Sequence, residues 1–170
     1  MRRTINFDDL APPGGSTPVA QDYEGFAWVA FAAVDRDAPT GGDGVGNVVA
    51  EGSGRAAGTN AVGISAAFGA DETFAFRKGV FASVRAEELT LTVTGFRDGV
   101  VVAERSFTLT EAAETLRFGR AFRDVDAVQF TPSDPNVNPF DPLADTFFAA
   151  DDLVVVTADT AATTSLDPFG

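Results

Sequence analysis

The chain has 170 residues, 45% of them hydrophobic, with 16 Phe and neither Cys nor His. This fits one folded domain with a sizeable core, and it excludes disulfides, thiolate sites, His-based triads and most zinc or copper centres. With 25 acids against 12 bases the net charge is −13, which disfavours a nucleic-acid partner and leaves oxygen-ligated calcium or magnesium as the metals such a chain would hold.

The first element is TINFDDL, residues 4–10, a β-favouring run interrupted by Asp8 and Asp9. No apolar segment follows Arg2 and Arg3 and no run is long enough to span a bilayer, so neither a signal peptide nor a membrane span is visible. Residues 26–34 read as a strand, with Phe26, Trp28 and Ala30 on one face. Residues 35–46, DRDAPTGGDGVG, form a turn cluster. Strands are then expected over 45–51, 62–68, 72–77 and 80–85.

Leu89, Leu91 and Val93 alternate with Thr90, Thr92 and Thr94, the pattern of a half-buried strand. Asp98-Gly99 follows as a two-residue hairpin turn, since both residues tolerate the positive φ it requires. The return strand runs to Thr110, residues 111–114 hint at one helical turn, and 115–118 and 127–131 complete the short strands. Residues 131–146 hold four Pro and three Asp without a period, and a loop of that length in a compact domain is often functional. FAADDLVVV at 148–156 closes the chain's strands with a second acid pair, Asp151 and Asp152, before the polar tail 157–170. Many short strands without a helical period predict an all-β sandwich of about eight to ten strands over residues 1–156.

Catalysis has little to rest on. Without His or Cys it falls to paired carboxylates or an activated Ser or Lys, and no spacing singles out a pair. No GxSxG, phosphate-binding or dinucleotide fingerprint occurs. The chain therefore reads as non-catalytic. In each acid pair, either one Asp faces water while the other ends the strand, or the two chain ends lie side by side and share a cation.

In order along the chain, INFDDL, YEGFAW, GTNAVG, LTVTGFRDGVVV, FRDVDAVQF and FAADDLVVV resemble bacterial extracellular β-sandwich domains of exosortase-associated (PEP-CTERM) surface proteins. In outline they are also similar to jelly-roll carbohydrate-binding modules. The resemblance spans about residues 4–156 and implies a jelly-roll-like antiparallel β-sandwich whose terminal strands pair. It implies an extracellular or cell-surface location and a structural calcium ligated by Asp8 or Asp9 and by Asp151 or Asp152. A C-terminal Pro-Glu-Pro sorting segment is not seen in 157–170.

Two functions follow. One is a self-assembling structural protein, a subunit of a filament or surface layer, with Phe169 of the tail docked on a neighbour and calcium bridging acids such as Asp141 and Asp145. The other is a secreted carbohydrate-binding module, with Tyr23 and Trp28 stacking sugar rings and Asp141 and Asp145 among its polar ligand-binding groups, although a Trp sharing a face with Phe26 and Ala30 is more often a core residue. On balance the lone domain favours self-association.

Overall fold

The period-two pattern folds into a continuous eleven-stranded antiparallel sheet that doubles over on itself. The computed structural model describes residues 1–39, 42–52, 54–136, 140 and 146–158, with only the backbone of Gly42 and Asp43. In chain order the elements are β1 (Arg2–Ile5), β2 (Ser16–Pro18), β3 (Ala27–Val29), β4 (Phe31–Asp35), α1 (Gly42–Glu51), β5 (Ala56–Asn60), β6 (Ala66–Ser83), β7 (Leu89–Arg97), β8 (Val100–Leu109), β9 (Glu114–Arg117), β10 (Val125–Ser133) and β11 (Phe148–Thr157). Among the described residues, no helix is long and apolar enough to cross a membrane.

The 18-residue β6 makes the fold. Its first part pairs with β3 and β10, and β10 continues to β7 and β8. Its second part pairs with β9 and β11, and β11 leads on to β5, β4 and β2. β6 is thus shared by two layers. The chain changes layer again at Ala30, whose φ of 56° separates β3 from β4; the single strand expected over 26–34 is two strands in different layers. The terminal strands pair, with Arg2 opposite Val156 and Ile5 opposite Leu153. The hairpin turns at Asp98 and Gly99, at φ 52° and 74°, values that fit the primed turn favoured between twisted strands.

Phenylalanines fill the space between the layers. Phe130 of β10 lies 5.7 Å from Phe148 of β11 and 5.9 Å from Phe31 of β4, measured between ring centroids. Each such burial contributes about 1.5–3 kcal/mol, and each edge or offset pair about 0.5–1.5 kcal/mol more. A second, smaller core lies on the outside of one layer, where Val45, Val48 and Val49 of α1 cover Val80, Ala82 and Ala149. The strand expected over 45–51 is therefore helical. Its valines recur at i, i+3 and i+4, the spacing of one helix face, and burying that face on the sheet outweighs the β preference of Val.

Two further expectations change. Residues 72–77 and 80–85 belong largely to one strand, β6. The run 62–68 is a turn followed by the start of β6, while the strand before it, β5, has the weak β-formers AAGTN.

Candidate functional site

The acid pairs come first. β1 ends at Ile5, so Asp8 and Asp9 lie in a turn, closed by the Leu10 N–H donating to Phe7 O at 3.1 Å. Asp8 Oδ1 accepts the backbone N–H groups of Arg55 and Ala56 at 2.7 and 3.0 Å, fixing the entry to β5. Exposed Asp9 accepts the Tyr23 hydroxyl at 2.8 Å. Asp151 is buried, its carboxylate against Gly52 at the end of α1, and its Oδ1 accepts the Asp152 N–H at 2.8 Å.

Asp152 has φ 46°, and the β11–β6 register shifts between Asp151 and Val154. Asp152 is thus a β-bulge residue, in a conformation that Asp tolerates better than most side chains. The bulge resets the alternation so that Ala150 and Leu153 both face the main core. Among the described residues, no group of three or more His, Cys, Asp or Glu is placed to hold a metal ion.

Trp28 is 2% exposed and belongs to the core, which closes its faces to a sugar. Its ring packs 5.1 Å from Phe31 and 5.1 Å from Phe68, and its Nε1–H donates to Tyr23 O at 2.8 Å. Tyr23 is half-buried on Phe7. Burial first, and then the Asp9 carboxylate, push its phenol above the ordinary value of 10.0. Asp141, Asp145 and Phe169 lie outside the described residues.

A different constellation stands out. In a chain of net charge −13, six of the 12 bases line one cleft of 590 Å³: Arg2, Arg77, Lys78, Arg117, Arg120 and Arg123. Four segments deliver them to the outer face of the layer containing β1, β11, β6 and β9. Arg2 stands opposite Val156, Val154 opposite Lys78, and Lys78 opposite Arg117.

A second bulge places two bases at once. Val154 pairs with Lys78 but Val155 pairs with Phe76, so Arg77 is the extra residue. Phe76 stays in the core while both Arg77 and Lys78 line the cleft. Bulges re-aim side chains in this way at binding sites.

The loop after β9 is tied to the same bulge. The Phe118 N–H donates to Arg77 O at 3.1 Å and the Phe76 N–H to Phe122 O at 2.9 Å. The Phe118 and Phe122 rings, 5.3 Å apart, anchor the loop in the core. Gly119, at φ 70°, makes the reversal between them, a conformation that costs Gly little. Arg120 and Arg123 are left exposed at the cleft.

Among the described residues, no Asp or Glu lines this cleft, and none of its six bases has a carboxylate partner. Elsewhere Arg55 pairs with Asp35 at 2.6 Å and Arg97 pairs with Asp124. Asp124 follows Arg123 in sequence yet turns to Arg97. Lys78 and Arg117 sit directly opposite on β6 and β9, where like charges destabilise a sheet. Uncompensated charge of one sign in a concave site raises the local concentration of the opposite ion. Chemically the cleft can hold anions. Guanidinium groups do not deprotonate in proteins, so five of the six bases stay charged at any working pH.

Neither the protein-family models nor the curated protein sequences include a match. Solved structures do. A DUF4465 family protein from Bacteroides caccae superposes with a TM-score of 0.64 at 11% identity, covering 92% of this chain and 99% of the other. A DUF4465 family protein from Bacteroides ovatus gives 0.55 at 10% identity, covering 92% and 94%. A CBM61 in complex with β-1,4-galactotriose gives 0.33 at 10% identity, covering 76% and 86%. The first two likenesses establish a shared fold.

Proposed function

We propose that the chain is a non-catalytic binding module that takes an anionic ligand in the cleft between β1, β11, β6 and β9. One observation carries this reading: half of the chain's bases converge on a single cleft with no carboxylate among its described lining residues, in a protein with twice as many acids as bases. Such an arrangement costs stability, and a bound anion offsets the cost. The residues named for self-assembly, Phe169 of the tail with Asp141 and Asp145, lie outside the described residues, and the described residues add no support to that reading.

The test compares dextran sulfate with neutral dextran by calorimetry. The sulfated polymer binds, the neutral one does not, and affinity falls as salt rises from about 50 to about 200 mM, because phosphate-like contacts release counterions. The double variant Arg117→Glu, Arg120→Glu loses on the order of a hundredfold. Equal binding of both polymers, or undiminished binding by the variant, overturns the proposal.

A further inference from the structure

The bases do not carpet the cleft. Val154, between core residues Leu153 and Val155 and only 3% exposed, and half-buried Val156, just beyond Val155, form part of its lining. β11 lies between β1 and β6, so these valines form an apolar floor with Arg2 on one side and Lys78 and Arg117 on the other. Neighbouring strands lie about 4.8 Å apart, which puts the β1 and β6 backbones about 10 Å apart across that floor. On the β6 side Arg77, Arg120 and Arg123 deepen the positive wall.

A compact phosphate needs a focused cradle of donors and makes no use of an apolar floor. A flexible polyphosphate likewise has no apolar face to lay on valine. A sugar ring bearing a carboxylate has both parts, C–H faces for an apolar floor and an anionic edge for the walls.

On the cleft reading above, we infer that the ligand is an extended acidic polysaccharide, a polyuronate, laid across the strands. Its ring faces rest on Val156, at the exposed end of the valine floor, and its carboxylates reach Arg2 on one side and the Lys78–Arg117 pair on the other. Arg suits the second role because its planar fork can meet a carboxylate with two parallel hydrogen bonds.

Binding of the whole chain to polygalacturonate, inorganic polyphosphate, single-stranded DNA and neutral β-1,4-galactan tests this. Polygalacturonate is expected to bind most tightly and the neutral galactan not at all. Val156→Ser, a half-buried position whose folding is checked by melting, is expected to weaken polygalacturonate about tenfold and leave polyphosphate unchanged. If polyphosphate or DNA binds as tightly as polygalacturonate, or Val156→Ser weakens nothing, the polyuronate inference falls and the anion cleft stands. If no polyanion binds, or the neutral galactan binds as well as the acidic polymer, both fall.

Discussion

Arg77 and Lys78 are consecutive residues of a β-strand that both line one cleft, because β11 skips from Val154 opposite Lys78 to Val155 opposite Phe76. In a regular strand one of the two would point into the Phe core. The bulge keeps Phe76 inside and turns a potential buried charge into a second cleft base. It is the local irregularity on which the proposed site depends.

The cleft trades stability for binding. Replacing Lys78 and Arg117 together by Thr removes facing like charges and adds a β-favouring pair. The variant is expected to gain about 0.2–1 kcal/mol over the parent in a denaturant titration while losing affinity for acidic polymers. Equal loss of stability and binding would mean that these side chains hold the fold rather than a ligand.

At the N-terminal end of α1, Gly44 leaves no room for a side chain: a methyl group there would stand 2.0 Å from Ser83 O. Gly44→Ala is expected to lift the helix from β6 and loosen Val45, Val48 and Val49 together. A cost above about 2 kcal/mol follows from the overpacked contact and the disturbed outer core. Gly46→Ala, inside the same helix with open space around it, serves as the control and is expected to raise the melting temperature by a few degrees, since Ala costs less than Gly in a helix interior.

The sequence made the strands legible wherever one face is wet. Leu89, Leu91 and Val93 against threonines gave β7, and Asp98-Gly99 gave the hairpin. It misled where both faces are covered. β5, under α1 on one side and over the Phe core on the other, has the unremarkable residues AAGTN, and α1 hides behind β-branched valines. The two similar terminal runs left the pairing of the chain ends open, and the jelly-roll resemblance implied it; β1 and β11 do pair. The reason for Asp151-Asp152 was not, because a bulge shows only when the partner strand is in place. The basic cleft is not legible in the sequence for a related reason. A net charge of −13 describes the whole chain, whereas Arg2, Arg77, Lys78 and the 117–123 loop meet only through strand pairing. The spacing of Arg117, Arg120 and Arg123, one base every third residue, was the signal within reach.

Asp8 holds the start of β5 through two backbone N–H groups. Asp8→Ala leaves the Arg55 and Ala56 donors without this partner and is expected to cost about 1–3 kcal/mol. Asp8→Asn keeps an acceptor and loses less. Calcium drawn to Asp8 would have to compete with those same donors, and at Asp9 with the Tyr23 hydroxyl. Melting curves in millimolar calcium and in chelator are therefore expected to coincide. A higher melting temperature in calcium that vanishes in Asp151→Ala would show that the terminal acids share a cation.

The buried Asp35 carboxylate is expected to make the fold acid-sensitive. Its Oδ1 accepts the Asp37 N–H at 2.9 Å, and its Oδ2 takes Arg55 Nε and Nη2 at 2.9 and 2.6 Å. The Asp37 N–H, then the Arg55 guanidinium, hold the carboxyl below its ordinary value of 3.8. A carboxyl with a lower pKa folded than unfolded adds stability above the unfolded value, and that stability disappears as pH falls through the folded one. Stability is expected to be flat near neutrality and to decline below about pH 4. Asp35→Asn, which stays uncharged throughout, is expected to be less stable at pH 7 and to approach the parent in strong acid. Denaturant titrations of both proteins between neutral and acid pH make the comparison, and a constant gap between them would assign the acid sensitivity to other carboxylates.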